Sequence, residues 1–131
     1  MKLRASGEDY LEAVLVLQKK MGIVRSADVA RHLEVSKPSV CNAVAALRNG
    51  GFLTMDENYY LHLTDAGREA AEATYEKQRF FTEMLVAAGV DPVTAERDAC
   101  RIEHVISNET FERLKAARKL SEKAVISSDE S

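Results

Sequence analysis

Three stretches of helical period, followed almost at once by a stretch of period two, constrain this chain more than any other feature. Tyr10, Leu11, Val14, Leu15 and Leu17 recur at helical spacing, so an amphipathic helix is expected from about Gly7 to Met21, stopped by Gly22. Ser26 is placed to cap a short second helix with Val29, Ala30 and Leu33 on one face. Val35 and Ser36 make a tight connection to a third helix, with Ser36 as N-cap and Pro38 just inside, where its missing N–H costs little. That helix turns Val40, Val44 and Leu47 inward and stops at Asn49-Gly50-Gly51. The period then changes. Phe52-Leu53-Thr54-Met55 and Tyr60-Leu61-His62-Leu63 read as two short strands around the polar turn Asp56-Glu57-Asn58.

Helix, short helix, tight turn, helix and hairpin is the order of a winged helix-turn-helix. Small Ala30 lets the second and third helices approach, and Val35, Val40 and Leu47 are expected to fill the space beneath them. Many such turns carry Gly where this one has Glu34. Beyond the hairpin the pattern is helical throughout. Thr64 caps a long helix through Ala70, Ala73, Phe80, Phe81, Met84 and Leu85, ended by Gly89. Asp91-Pro92 starts another that runs to about Ile106, and Asn108 can cap a last one carrying Phe111, Leu114 and Leu120. The fold class is mainly α: an N-terminal winged helix-turn-helix over residues 1–73, an all-helical domain over 74–125, and a disordered polar tail over 126–131.

The net charge of −3 argues at first against a nucleic-acid partner, but the charge is unevenly spread. Between Gln18 and Met55 stand six bases and only two acids, a local +4, so the remainder carries −7. A basic patch of this kind is an electrostatic footprint. On the third helix Lys37, Ser39, Asn42, Ala43 and Ala46 are expected to face outward: Ser39 and Asn42 suit base edges, and the alanines let the helix sit deep in a major groove. Ser36, Lys37 and Pro38 at the helix start, with Arg25 and Arg48, are candidates for phosphate contacts. The competing reading is a metal-independent winged helix used for DNA binding or for protein contacts. His32 and His62 have no partner at ligand spacing and read as surface residues. Cys41 and Cys100, with 58 residues between them, are no disulfide framework, which favours a reducing, cytoplasmic setting. Neither a membrane span nor the apolar run of a signal peptide is visible.

The acids need their own explanation. Glu96, Cys100, Glu103 and His104 fall at i, i+4, i+7 and i+8 and cover about 100° of a helix, beside an apolar stripe of Ala95, Ala99, Ile102 and Ile106. Thiolate, imidazole and carboxylate together suit a divalent transition metal better than calcium or magnesium. On the first helix Asp9 and Glu12 form an i, i+3 pair. The plainer readings are a capping box at Ser6-Gly7-Glu8-Asp9, a solvated Glu12, a small buried Cys100 and a hydrogen-bonded His104. Two carboxylate clusters at helix contacts favour metal, because they repel unless something cationic lies between them. Cys100 and His104 also resemble a nucleophile and base, but no phosphate loop or orienting third group accompanies them, so the chain is not read as an enzyme. For Cys41 a structural role is preferred to a redox one.

Asp-Ala-Cys-Arg-Ile-Glu-His-Val-Ile-Ser (98–107), Ser-Gly-Glu-Asp-Tyr-Leu-Glu (6–12) and the winged helix between them resemble the diphtheria toxin repressor family of iron- and manganese-dependent bacterial repressors. The resemblance runs from about Ser6 to Leu114, and Cys-x-x-Glu-His is its most specific part. It implies a homodimeric repressor of metal-homeostasis genes that binds palindromic operator DNA when activated by Fe2+ or Mn2+, with Zn2+ able to compete. It implies no membrane and no small-molecule substrate, and gives the helical domain the tasks of dimerisation and metal binding. Cys100, Glu103 and His104 match primary ligand positions, and Asp9 matches the ligand position of the first helix, where the manganese branch has Asp. Glu12 matches a manganese-branch ligand, whereas Cys100 follows the iron branch. Gln78 stands where both branches place a His, a departure at the second metal position; Glu96 aligns near a further ligand of the iron branch, and Glu83 is a looser candidate. The chain ends without the SH3-like third domain of the iron-responsive members, as the shorter manganese regulators do.

Overall fold

The computed structural model describes residues 5–129. Among them are six helices and two strands, α1 (Ala5–Met21), α2 (Ser26–Leu33), α3 (Lys37–Asn49), β1 (Leu53–Met55), β2 (Leu61–Leu63), α4 (Asp65–Ala87), α5 (Pro92–Val105) and α6 (Asn108–Asp129). The chain divides into two compact units, Met1–Glu76 and Lys77–Ser131, so the boundary falls within α4, one turn beyond the expected position after residue 73. The N-terminal segment 1–4, on which the signal-peptide reading rests, lies outside the described residues. No helix among the described residues is long and apolar enough to cross a membrane.

The first unit is built on one core. Leu11, Val14 and Leu15 of α1 pack with Val29 and Ala30 of α2, Val40, Val44 and Leu47 of α3, and Leu53 and Leu61 of the hairpin. The strands pair antiparallel, with Leu53 opposite Leu63 and Met55 opposite Leu61. Ser36 caps α3 as expected, its hydroxyl accepting from the Ser39 N–H at 3.3 Å. The cap of α2 differs. Arg25, not Ser26, occupies the N-cap position, and Asp28 reaches back to accept the Arg25 N–H at 2.9 Å. That bond, with help from the Arg31 guanidinium, holds the Asp28 carboxyl below its usual value. The turn after α2 closes without glycine, because Glu34 itself takes the left-handed conformation at φ 56°. Val35, expected beneath the helices, is instead 37 % exposed, since that turn aims it away from the core. α1 is already helical at Ala5, ahead of the expected Ser6 cap, and the Ser6 side chain is outside those described.

The turn between the strands hangs on Asp56. One carboxylate oxygen accepts the N–H groups of Asn58 at 2.8 Å and Tyr60 at 3.1 Å, and the other meets His62 Nε2 at 2.8 Å. His62, exposed as expected, therefore has a partner that no ligand spacing revealed. The His62 bond first, then the two backbone bonds, lower the Asp56 pKa from the ordinary 3.8. A carboxyl lowered by folding contributes stability at neutral pH, lost as pH falls from 3.8 through its lowered folded value. Protection factors of the Asn58 and Tyr60 amides are thus expected to fall in that acid window in the native chain, and to show no such step in Asp56→Asn. An unchanged acid step in the variant would assign it elsewhere.

In the second unit Phe80 and Phe81 of α4 pack with Ala99 of α5 and Phe111 of α6. Phe80 meets Phe81 and Phe111 edge-on, with ring centroids 5.1 and 5.5 Å apart, the arrangement aromatic quadrupoles favour. Asp91 caps α5 by accepting from Val93 and Thr94 N–H, with Pro92 in the first turn. The cap of α6 is Ser107, whose hydroxyl accepts the Thr110 N–H at 3.1 Å, one residue before the expected Asn108. α6 continues to Asp129, so the tail expected to be disordered from residue 126 is helical to that point.

Candidate metal centre

α5 carries the candidate ligands. Ala95 and Ala99 are fully buried, and Glu103, one turn beyond Ala99 on the same strip, is only 3 % exposed. Cys100 and His104 lie on the adjoining strip and are half-buried. The ligand atoms of Cys100, Glu103 and His104 lie within 4.8 Å of one another, and His104 Nε2 is 3.4 Å from Glu103 Oε1. Ligands bound to one ion at about 2.0–2.3 Å stand at most about 4.6 Å apart, so the three groups sit at coordination spacing to within a few tenths of an ångström. The donor set of sulfur, nitrogen and oxygen fits a borderline divalent ion. Expected on a stripe beside the apolar one, these residues present a carboxylate from the packed side of the helix and two softer donors beside it.

The remaining candidates separate. Glu96 is exposed; seven residues before Glu103, it stands about 10 Å away along the axis, at 1.5 Å per residue. Glu83 is occupied: Arg79 and Arg118 donate to its two oxygens at 3.3 and 3.0 Å. Arg118 also lies 4.7 Å over the Phe80 ring and 3.5 Å from Glu122, so the carboxylate of Glu83 is part of an ionic contact between α4 and α6. Gln78 is half-buried on α4 in the same unit. Asp9 and Glu12 are half-buried on α1 in the first unit.

The six bases between Gln18 and Met55 are all exposed on the first unit. Lys37, Pro38, Asn42 and Arg48 of α3 are exposed. Ser36 and Ser39 are exposed too, but their hydroxyls bond each other at 2.9 Å as part of the helix cap. Ala46 faces out, whereas Ala43, expected to do so, packs partly against the core and Ala45 takes its place on the surface. Cys41, given a structural role above, is exposed on the same helix. Arg25 is also exposed, with its guanidinium over the ring of Tyr60, a residue read from the sequence as part of the second strand and not as part of any site.

A winged helix-turn-helix with a basic reading surface, followed by a helical unit that gathers thiol, carboxylate and imidazole, is the make-up of a metal-dependent DNA-binding regulator. Residues 2–61 match the iron dependent repressor N-terminal DNA binding domain, and residues 64–119 match the iron dependent repressor metal binding and dimerisation domain. The chain belongs to the iron-dependent repressor family. It is 33% identical over 105 residues to the transcriptional regulator MntR of Salmonella typhimurium, covering 80% of this chain and 67% of that one. It is 32% identical over 108 residues to the diphtheria toxin repressor of Corynebacterium diphtheriae, covering 82% of this chain and 48% of the relative. Among solved structures, IdeR of T. acidophilum is similar with a TM-score of 0.70 and 28% identity, over 81% of this chain and 50% of that one. The chain therefore spans about half the length of these last two relatives.

Proposed function

We propose that this chain is a cytoplasmic, metal-activated transcriptional repressor that binds a palindromic operator as a homodimer and controls metal-homeostasis genes; it is not an enzyme. The observation that carries the reading is the convergence of Cys100, Glu103 and His104, with the carboxylate buried. Asp9 and Glu12 of α1 complete the ligand set in this reading, supported by their residue types, their i, i+3 spacing and the family resemblance. Fe2+ or Mn2+ is the activating ion, and Zn2+ competes for a site containing sulfur.

A bound divalent ion supplies the positive charge that allows carboxylates and a thiolate to share one site. The chain's own residues do the rest. Tyr10 and Leu11, next to Asp9, are in the core that also holds Val40, Val44 and Leu47 of α3. A constraint on Asp9 and Glu12 therefore constrains the recognition helix, because packed cores transmit displacement rather than absorb it. Two such helices have to stand one DNA turn apart, ~34 Å, to engage a palindrome together. Val86, Val93, Val105 and Leu120 expose apolar surface in the second unit, which supports dimerisation through it. The net charge outside the reading surface, −7 before ligation, is partly offset once the site is filled.

The test is a fluorescence-anisotropy titration of duplex DNA enriched from a randomised pool, under reducing conditions, with Mn(II) or with chelator. Chelator is expected to weaken binding by at least about tenfold, the lower range of measured allosteric couplings. Asp9→Ala is expected to bind with Mn(II) no better than the native chain does with chelator. Equal affinity with and without metal would establish the metal-independent module instead.

A further inference from the structure

Arg25 is tied to the wing, the β1–β2 hairpin. Its guanidinium lies 4.8 Å from the Tyr60 ring centroid, and Nη2 donates to the Tyr60 hydroxyl at 3.4 Å. The backbone repeats the link, since the Leu61 N–H donates to the Val24 carbonyl at 2.8 Å. Gln18 Nε2 adds a further bond to the Leu61 carbonyl at 3.3 Å. Val24 and Leu61 are both 1 % exposed, so the link is anchored in the core, while Arg25 itself is on the surface. Asp28, the nearest acid along α2, takes the Arg25 backbone N–H and pairs its other oxygen with Arg31. The Arg25 side chain is thus left to Tyr60.

We propose that Arg25 and Tyr60 form a phosphate clamp, in which Tyr60 is a positioning residue that holds the guanidinium ready for one phosphate of the DNA backbone. The proposal rests on the DNA-binding reading above. An exposed arginine ordinarily samples many rotamers, and each must be given up on binding. Stacking on a ring restricts that freedom beforehand, and the planar group remains charged. Only one N–H is directed at the Tyr60 hydroxyl, so other donors of the fork are left for a phosphate, which guanidinium groups meet in bidentate fashion. The clamp also fixes where that charge stands, because Tyr60 leads into β2 and Arg25 precedes α2. One phosphate contact would then join the wing and the helix-turn-helix.

The experiment is a salt series of anisotropy titrations with the Mn(II)-loaded full chain and a duplex that the native chain enriches from a randomised pool. Arg25→Ala is expected to weaken binding about tenfold and to reduce the log–log salt slope by about one. Tyr60→Leu should weaken binding about two- to fivefold, the range of an exposed cation–π contact, and Tyr60→Phe less than that. The Arg25→Ala/Tyr60→Leu double variant should bind no more weakly than Arg25→Ala, because Tyr60 acts through Arg25. Tyr60→Phe keeps the ring and the fold, so a misfolded leucine variant does not decide the matter. Native affinity and slope in Arg25→Ala, or losses that simply add in the double variant, would overturn the clamp while leaving DNA binding intact. If the native chain enriches no duplex with Mn(II), the DNA-binding reading fails and the clamp with it.

Discussion

His104→Ala is expected to lose at least about a hundredfold in Mn(II) affinity, more than the 10–100-fold typical of losing a group behind the ligands. The measurement is isothermal titration of the reduced protein, paired with thermal unfolding. A ligand that binds only the folded chain stabilises it by RT ln(1 + [L]/Kd), about 2.7 kcal/mol at a hundred times Kd. For a unit the size of Lys77–Ser131 this corresponds to a rise in Tm of roughly 10–20 °C. The native chain should show that rise on adding Mn(II), and His104→Ala should show almost none at the same concentration. His104 is half-buried at the edge of α5 rather than in the aromatic core, so the variant should still fold without metal. Equal Mn(II)-dependent shifts in both proteins would place the metal somewhere other than α5.

Gly67→Ala should be the most damaging small substitution in the first unit. A Cβ at this position would stand 2.0 Å from the Phe52 carbonyl oxygen, well inside any van der Waals contact. The neighbouring atom is backbone and is held on several sides. The Phe52 carbonyl accepts the Thr64 N–H at 3.1 Å, and the Thr64 hydroxyl donates to the Gly51 carbonyl at 2.7 Å. The same hydroxyl accepts the Gly67 N–H at 3.1 Å, capping α4. Making room for a methyl group would pull α4 away from the end of α3 and break this set of bonds. Overpacking costs typically 1–3 kcal/mol, and each lost hydrogen bond about another 1 kcal/mol. A total of about 3 kcal/mol or more lowers Tm by roughly 12–24 °C in a unit of this size. Differential scanning calorimetry, with Ala66→Ser on the exposed side of the same turn as control, checks it. A loss no larger than the control's would mean that the backbone yields without cost.

Much of the fold is legible along the chain because its signals are local. Thr64, Ser36 and Asp91 mark helix starts through bonds to N–H groups two or three residues ahead, and all three do so in the structure. Where an acceptor stands on either side of a boundary, the choice between them is less visible. Ser107 rather than Asn108 caps α6, and Arg25 with Asp28 replaces Ser26 at α2. Glu34 shows another limit: propensity disfavours it at a left-handed position, yet the packing of α2 against α3 requires that turn and tolerates the cost.

The candidate ligands on α5 could be named from spacing alone, because i, i+3 and i+4 relations on one helix are fixed by its pitch. Cys100, Glu103 and His104 share a side of α5 for that reason. Their burial could not be read the same way. Glu103 is enclosed while Glu96 is exposed, although both fit the same helical stripe, because burial depends on what other elements lay against each turn. Glu83 is claimed by an arginine 35 residues away, and Arg25 is held by a tyrosine 35 residues away. Periodicity and capping act over about four residues and so decide which elements form and which faces they offer. Pairings between groups tens of residues apart arise only when separate elements pack, and it was packing that assigned Glu83 to an ionic contact and Arg25 to the wing.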